Sequence, residues 1–67
     1  MNIACSDETA VTNVRAVLLK HEVSQVRRQG PNFGNPMIWV MVNDAFGDDK
    51  ERIIRREIAG IAGATLH

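Results

Sequence analysis

Residues 35–44 read NPMIWVMVND, and within them Met37 to Val42 form an unbroken run of six apolar side chains. Successive side chains of an extended chain point to opposite sides. Ile38, Val40 and Val42 therefore share one face, and Met37, Trp39 and Met41 share the other. A strand at the rim of a sheet usually carries charge or polar groups on its open side. This one carries none, so it belongs at the centre, and both of its faces need cover. What the rest of the chain offers as cover decides the fold.

Upstream, Asn2 to Cys5 is a short apolar opening that reads as a strand. Ser6 and Asp7 supply N-cap chemistry, and Glu8 places negative charge in a first turn, where the helix dipole favours it. Val11, Val14 and Leu18 then recur at i, i+3, i+7, with Ala10 and Val17 widening the stripe and Asn13, Arg15 and Lys20 lying off it. This pattern predicts a helix over Asp7–His21. Residues 23–29 (VSQVRRQ) predict an edge strand with charge on its open side. Val23 and Val26 are out of phase for simple alternation, which implies a bulge or a later strand start. Residues 30–36 (GPNFGNP) are loop chemistry, and Pro36 opens the central strand where a missing N–H is tolerated.

Downstream, NDAFGDD (residues 43–49) is a turn. Asp48 and Glu51 stand at the capping-box separation and predict the start of a second helix. Ile54, Ile58 and Ile61 recur at i, i+4, i+7 with Ile53 beside them, and Gly60 and Gly63 end the run. The last residues, ATLH (64–67), form either a short closing strand or no element at all.

The order is thus β-α-β-β-α, with a closing β if ATLH pairs. A strand–helix–strand unit makes its two strands parallel, and the loop at 30–35 makes the next one antiparallel to its predecessor. The apolar strand fits between the first two, with the charged strand at an edge. If ATLH pairs on the far side of the first strand, the fold is a complete ferredoxin-like α+β fold: a two-layer α/β sandwich with a mostly antiparallel sheet and two helices on one face. One domain spans residues 1–67.

The layout also resembles that of ACT-type regulatory domains. The resemblance rests on a first helix running into HEVSQVRRQG, then MIWVMV, then a charged helix ending EIAGIAGATLH. It implies a domain that pairs and binds a small ligand, often an amino acid, at the interface between copies. The usual ACT site has a glycine in the turn after the first strand, and this chain departs there with Ser6, Asp7 and Glu8.

Composition narrows the function. At 67 residues the chain sits near the lower limit for folding without staples, where burial reaches only about 60% of the unfolded surface. Cys5 is the only cysteine, so no internal disulfide forms, and Cys5 with His21 and His67 makes no zinc set. Association is the remaining stabilising device. Eight basic residues balance eight acidic ones, so long-range attraction to nucleic acid or an anionic membrane is absent. The unpaired thiol, with no signal-like opening or membrane-length apolar run, leads to the expectation of a cytoplasmic protein.

The candidate chemistry is thin. A Cys5–His21 pair would be split across a helix about 20 Å long, so Cys5 is expected to be inert packing and the protein not an enzyme. Asp44, Asp48 and Asp49 cluster in one turn without calcium-loop spacing, and capping accounts for the last two. Lys20, Arg27, Arg28, Arg52, Arg55 and Arg56 are the candidate contacts to nucleic acid. The acid-first pairs Asp48–Arg52 and Glu51–Arg55 instead suggest a solvated, charge-laced helix face, and aromatics for base stacking are scarce. No cofactor or metal is expected.

The leading expectation follows from the opening strand. Two short helices cover one face of a two-layer sandwich. The branched trio Ile38, Val40 and Val42 suits the helices, leaving Met37, Trp39 and Met41 on the bare side, with Ile3 or Cys5 nearby. Phe33 at the loop tip joins them as a contact residue; alternatively, the loop folds back over the bare face and makes it core. A Trp and Met patch suits a homodimer or a protein partner. The expectation is a non-enzymatic interaction module. The alternatives are an ACT-like sensor holding a small ligand at a dimer interface and a nucleic-acid accessory.

Overall fold

In the computed structural model, which describes residues 1–67, the chain runs β1 (Asn2–Cys5), α1 (Glu8–Lys20), β2 (Val26–Gln29), β3 (Ile38–Val42), α2 (Asp48–Ala59), β4 (Ala64–Leu66). The strands form a single sheet in the order β2-β3-β1-β4, and every neighbouring pair is antiparallel. This is the complete ferredoxin-like α+β sandwich, with the apolar strand at the centre, the charged strand at one edge and residues 64–66 closing the other.

Register assigns each side chain a face. Ile3 lies opposite Val40 and Leu66, and Cys5 opposite Ile38 and Ala64. These side chains meet Ala10, Val11, Val14 and Leu18 of α1 and Ile54 and Ile58 of α2 in one cluster of twelve buried residues. The branched trio of β3 is buried and its alternate residues are half-buried. Both helices therefore cover the Ile38, Val40, Val42 side. Ile3 and Cys5 belong to that side as well, not to the bare one: they share a register row with Val40 and Ile38, and pairing across strands keeps partners on one face.

Helix α1 begins as its sequence implies. Asp7 is the N-cap, and its Oδ1 accepts the Ala10 N–H at 2.8 Å. Helix α2 begins differently. Gly47 holds the N-cap with no side-chain bond, so Asp48 is the first helical residue and the expected capping box does not form. Asp48, Asp49 and Glu51 in the first turn act through the dipole instead. Asp48 also does not pair with Arg52, which bonds Asp49 one residue nearer, while Glu51–Arg55 does form at 3.4 Å. Ile53 lies on the outer side at 49% exposure, next to the buried Ile54.

Two strand starts shift. β2 begins at Val26, because Val23 turns into the core and Asp44 accepts the N–H groups of Ser24 and Gln25 at 3.3 and 2.8 Å. β3 begins at Ile38 rather than Pro36, since the Met37 N–H is taken by Asn35 Oδ1 at 3.1 Å. At the β4 seam, Gly63 adopts φ +83, and a Cβ there would lie 2.5 Å from Ser6 Oγ. Only glycine fits both the left-handed backbone and that close approach.

Candidate functional site

The face of the sheet away from the helices is built from two register rows. Gln29, Trp39, Ala4 and Thr65 form one, and Arg27, Met41 and Asn2 the other. Trp39 and Met41 are half-buried, and Asn2, Arg27, Gln29 and Thr65 are exposed around them. Small Ala4 is buried beside the indole. The His67 N–H donates to the Asn2 carbonyl at 2.8 Å. That bond brings the imidazole edge-on to Trp39, with ring centroids 5.0 Å apart. No carboxylate stands in either row. The chain is neutral as a whole, yet its acidic side chains are kept on helices and loops, and Arg27 is the one charged side chain in these two rows.

Met37 adjoins the face just ahead of β3 and is half-buried. The preceding loop is a stiff arm. Asn32 and Asn35 exchange both main-chain hydrogen bonds, at 3.0 and 2.9 Å, and Arg28 Nε donates to the Gly30 carbonyl at 3.2 Å. Phe33 at the tip is fully exposed, so the arm does not fold its ring back over the sheet.

The other sequence candidates scatter. Cys5 is fully buried. Burial pushes its thiol above the ordinary value, with the charge of Asp7 adding to the effect, so the nearby helix N-terminus does not activate it. His21 sits at the far end of α1, with Nε2 2.6 Å from Glu57 Oε2. Lys20 bonds the other oxygen of the same carboxylate. Hydrogen bonds from Lys20 first and His21 second hold the Glu57 carboxyl below the usual carboxylate range. Arg28 grips Glu8 through both terminal nitrogens and lowers that carboxyl in the same way. Lys20, Arg28, Arg52 and Arg55 thus already have carboxylate partners. Arg27 and Arg56 do not, and they lie on β2 and α2 respectively. No three Cys, His, Asp or Glu side chains converge as a metal site, and no helix is long and apolar enough to cross a membrane.

One feature is absent from the sequence reading. A cleft of about 300 Å³ lies beside α1, with Ala16, Leu18, Leu19, Val23 and Val26 as its apolar part and Thr12, Arg15 and Ser24 completing it. Its signal in the sequence is a second stripe on α1, Thr12, Arg15, Ala16 and Leu19 at i, i+3, i+4, i+7, alongside the stripe that enters the core.

Comparison of the chain with known protein families, characterised proteins and solved structures gives no significant match. Fold and site together define a small α+β sandwich with one packed and one bare sheet face.

Proposed function

We propose that the protein is a non-enzymatic interaction module that self-associates or docks on another protein through the helix-free face of its sheet, with Met37, Trp39 and Met41 as the apolar centre and Phe33 as an outlying anchor. The observation that carries this reading is Trp39: the only tryptophan sits on the central strand, in the middle of a face no helix covers, inside a polar rim with no acidic side chain. An apolar centre, a polar rim, and Trp, Met and Arg side chains match the anatomy of protein interfaces.

Size supports the role of Phe33. Four strands about 4.8 Å apart and about four residues long project a patch of roughly 250–300 Å², below the roughly 800 Å² per partner of a standard interface. Met37 continues this patch just ahead of β3, and an interface of standard size would also draw in the exposed Phe33 of the preceding loop. Sedimentation and Trp39 fluorescence across a dilution series test the proposal on wild type and Trp39→Ser. The expected result is association of the wild type, or of the wild type with a partner, that Trp39→Ser abolishes while remaining folded. A compact wild-type monomer at all concentrations, with Trp39 already shielded from quenchers, would defeat it.

A further inference from the structure

The molecule has a second unfinished surface, at the edge of the sheet. The Asn43 N–H donates to the Gln25 carbonyl at 3.1 Å, which makes that pair hydrogen-bonded, one step beyond the Val26–Val42 register pair. Antiparallel pairing alternates. The main-chain groups of Arg27 and Gln29 therefore point to β3, and those of Val26 and Arg28 point out from the edge. Beside this edge lies the cleft. It exists because α1 packs over β1, β3 and β4 but not over β2. Val26 is consequently only half-buried on its inner side, and Leu19 is left 76% exposed on the opposite wall.

We infer that this edge and cleft form a strand-addition groove for an extended peptide of another protein, one carrying an apolar side chain and, two residues along, a carboxylate. Each part answers a feature of the edge or the cleft. A peptide main chain would pair with the free groups of Val26 and Arg28, as in other strand-addition complexes. Its residue opposite Val26 would share that side chain's face and enter the apolar cleft against Leu18, Leu19 and Val23. At the small end of ligand pockets, which span roughly 300–1,000 Å³, the cleft suits one or two side chains better than a whole cofactor. Side chains two apart lie on the same face, so the next one meets Arg15. This arginine lines the cleft and has no carboxylate partner, and no acid lines the cleft with it. The Arg28–Glu8 bridge sits at the end where α1 begins and bounds the groove there.

A second copy of the chain is the poorer occupant. Symmetric antiparallel pairing about the middle of β2 sets either Arg27 against Arg27 or Arg28 against Arg28, and like charges directly opposite destabilise a strand pair. An acidic peptide has the complementary charge. The groove lies on a different part of the molecule from the bare sheet face, and the inference does not rest on the reading of that face.

A displayed library of random peptides, selected on the whole protein, tests the inference. Enriched peptides should share an apolar residue with Asp or Glu two positions away, on its N-terminal side if the peptide pairs antiparallel to β2 and on its C-terminal side if it pairs parallel, and synthetic versions should bind in solution. Ala16→Leu, at an exposed helical position, fills the cleft and should abolish binding. Arg15→Gln should weaken it about tenfold, the loss of one charge-assisted hydrogen bond. Val26→Pro removes an outward N–H without touching the ladder to β3 and should also weaken binding. If that variant fails to fold, methylating the peptide main-chain nitrogens tests the reciprocal bonds, from the peptide N–H groups to the Val26 and Arg28 carbonyls. Trp39→Ser should leave binding unchanged. No enrichment, equal binding to wild type and Ala16→Leu, or indifference to loss of the edge bonds would overturn the inference. Peptides lost on Trp39→Ser instead would support the sheet-face reading and overturn this one.

Discussion

The two sides of β3 differ in what meets them, although the strand is apolar on both. On one side Ile38, Val40 and Val42 are nearly sealed by two helices. On the other, one residue along each time, Trp39 and Met41 meet only neighbouring strands, a terminal imidazole and a rim of Asn2, Arg27, Gln29 and Thr65. Hydrophobicity alone does not separate the sides. Layer count does: a chain this short makes one layer of helices, and that layer takes whichever face gives the denser core. Branched residues pack against helices more tightly than a flexible methionine, whose adaptability suits a surface that meets different partners.

The largest expected effect tests that difference directly. Ile38→Ala leaves a cavity in the sealed core and should lower unfolding free energy by about 2–5 kcal/mol, enough to unfold much of so small a domain. Met41→Ser, three residues on but facing the other way, should cost less than about 1 kcal/mol in the isolated protein. Denaturant titration of both variants measures the contrast, and similar losses would erase it.

Next in size is the seam where β4 joins the sheet. Gly63→Ala forces a left-handed backbone on a residue with a Cβ and pushes that Cβ into Ser6 Oγ; a loss of about 1–3 kcal/mol is expected. Because β4 carries the chain to His67, this variant should also loosen the imidazole from Trp39 and shift the indole emission. A stability loss without that shift would show that the closing strand does not shape the bare face.

The smallest effect belongs to the helix layer. Glu57 is held below the ordinary carboxylate value of 4.5 by Lys20 and His21. A lowered folded value means the carboxylate's contribution is complete above the unfolded value and disappears as the pH drops through the folded one. Thermal melts should therefore fall on acidification below about pH 4.5, and Glu57→Gln should flatten part of that slope. Glu8, lowered by Arg28, contributes in the same sense, so the slope should be reduced rather than removed. Both pairs are solvent-screened and modest.

Much of the fold was legible because periodicity reports the core directly. Val11, Val14 and Leu18, and Ile54 with Ile58, are buried where their spacing places them; strand directions followed from the rules of crossover and hairpin connection, and the central place of β3 from its two apolar faces. Errors gathered where several residues compete for one local role. Gly47 took the cap expected of Asp48, because a glycine already sat in the extended position ahead of the helix. Arg52 chose Asp49 over Asp48, since i, i+3 and i, i+4 partners are both within reach on a helix. The cleft beside β2 left only a faint trace in the sequence. Its residues form an ordinary mixed stripe, and only the offset of α1 from the edge strand turns that stripe into a wall.

By itself the sequence determined the two helices, the first three strands, their order along the chain and the two-sided character of the central strand, because hydrophobic period and turn chemistry act over a few residues. Only the tertiary structure decided that residues 64–66 would close the sheet, that His67 would stand against Trp39, and that β2 would keep an open edge beside a cleft. These outcomes depend on where whole layers come to rest. Packing between distant segments sets that, and no local pattern records it.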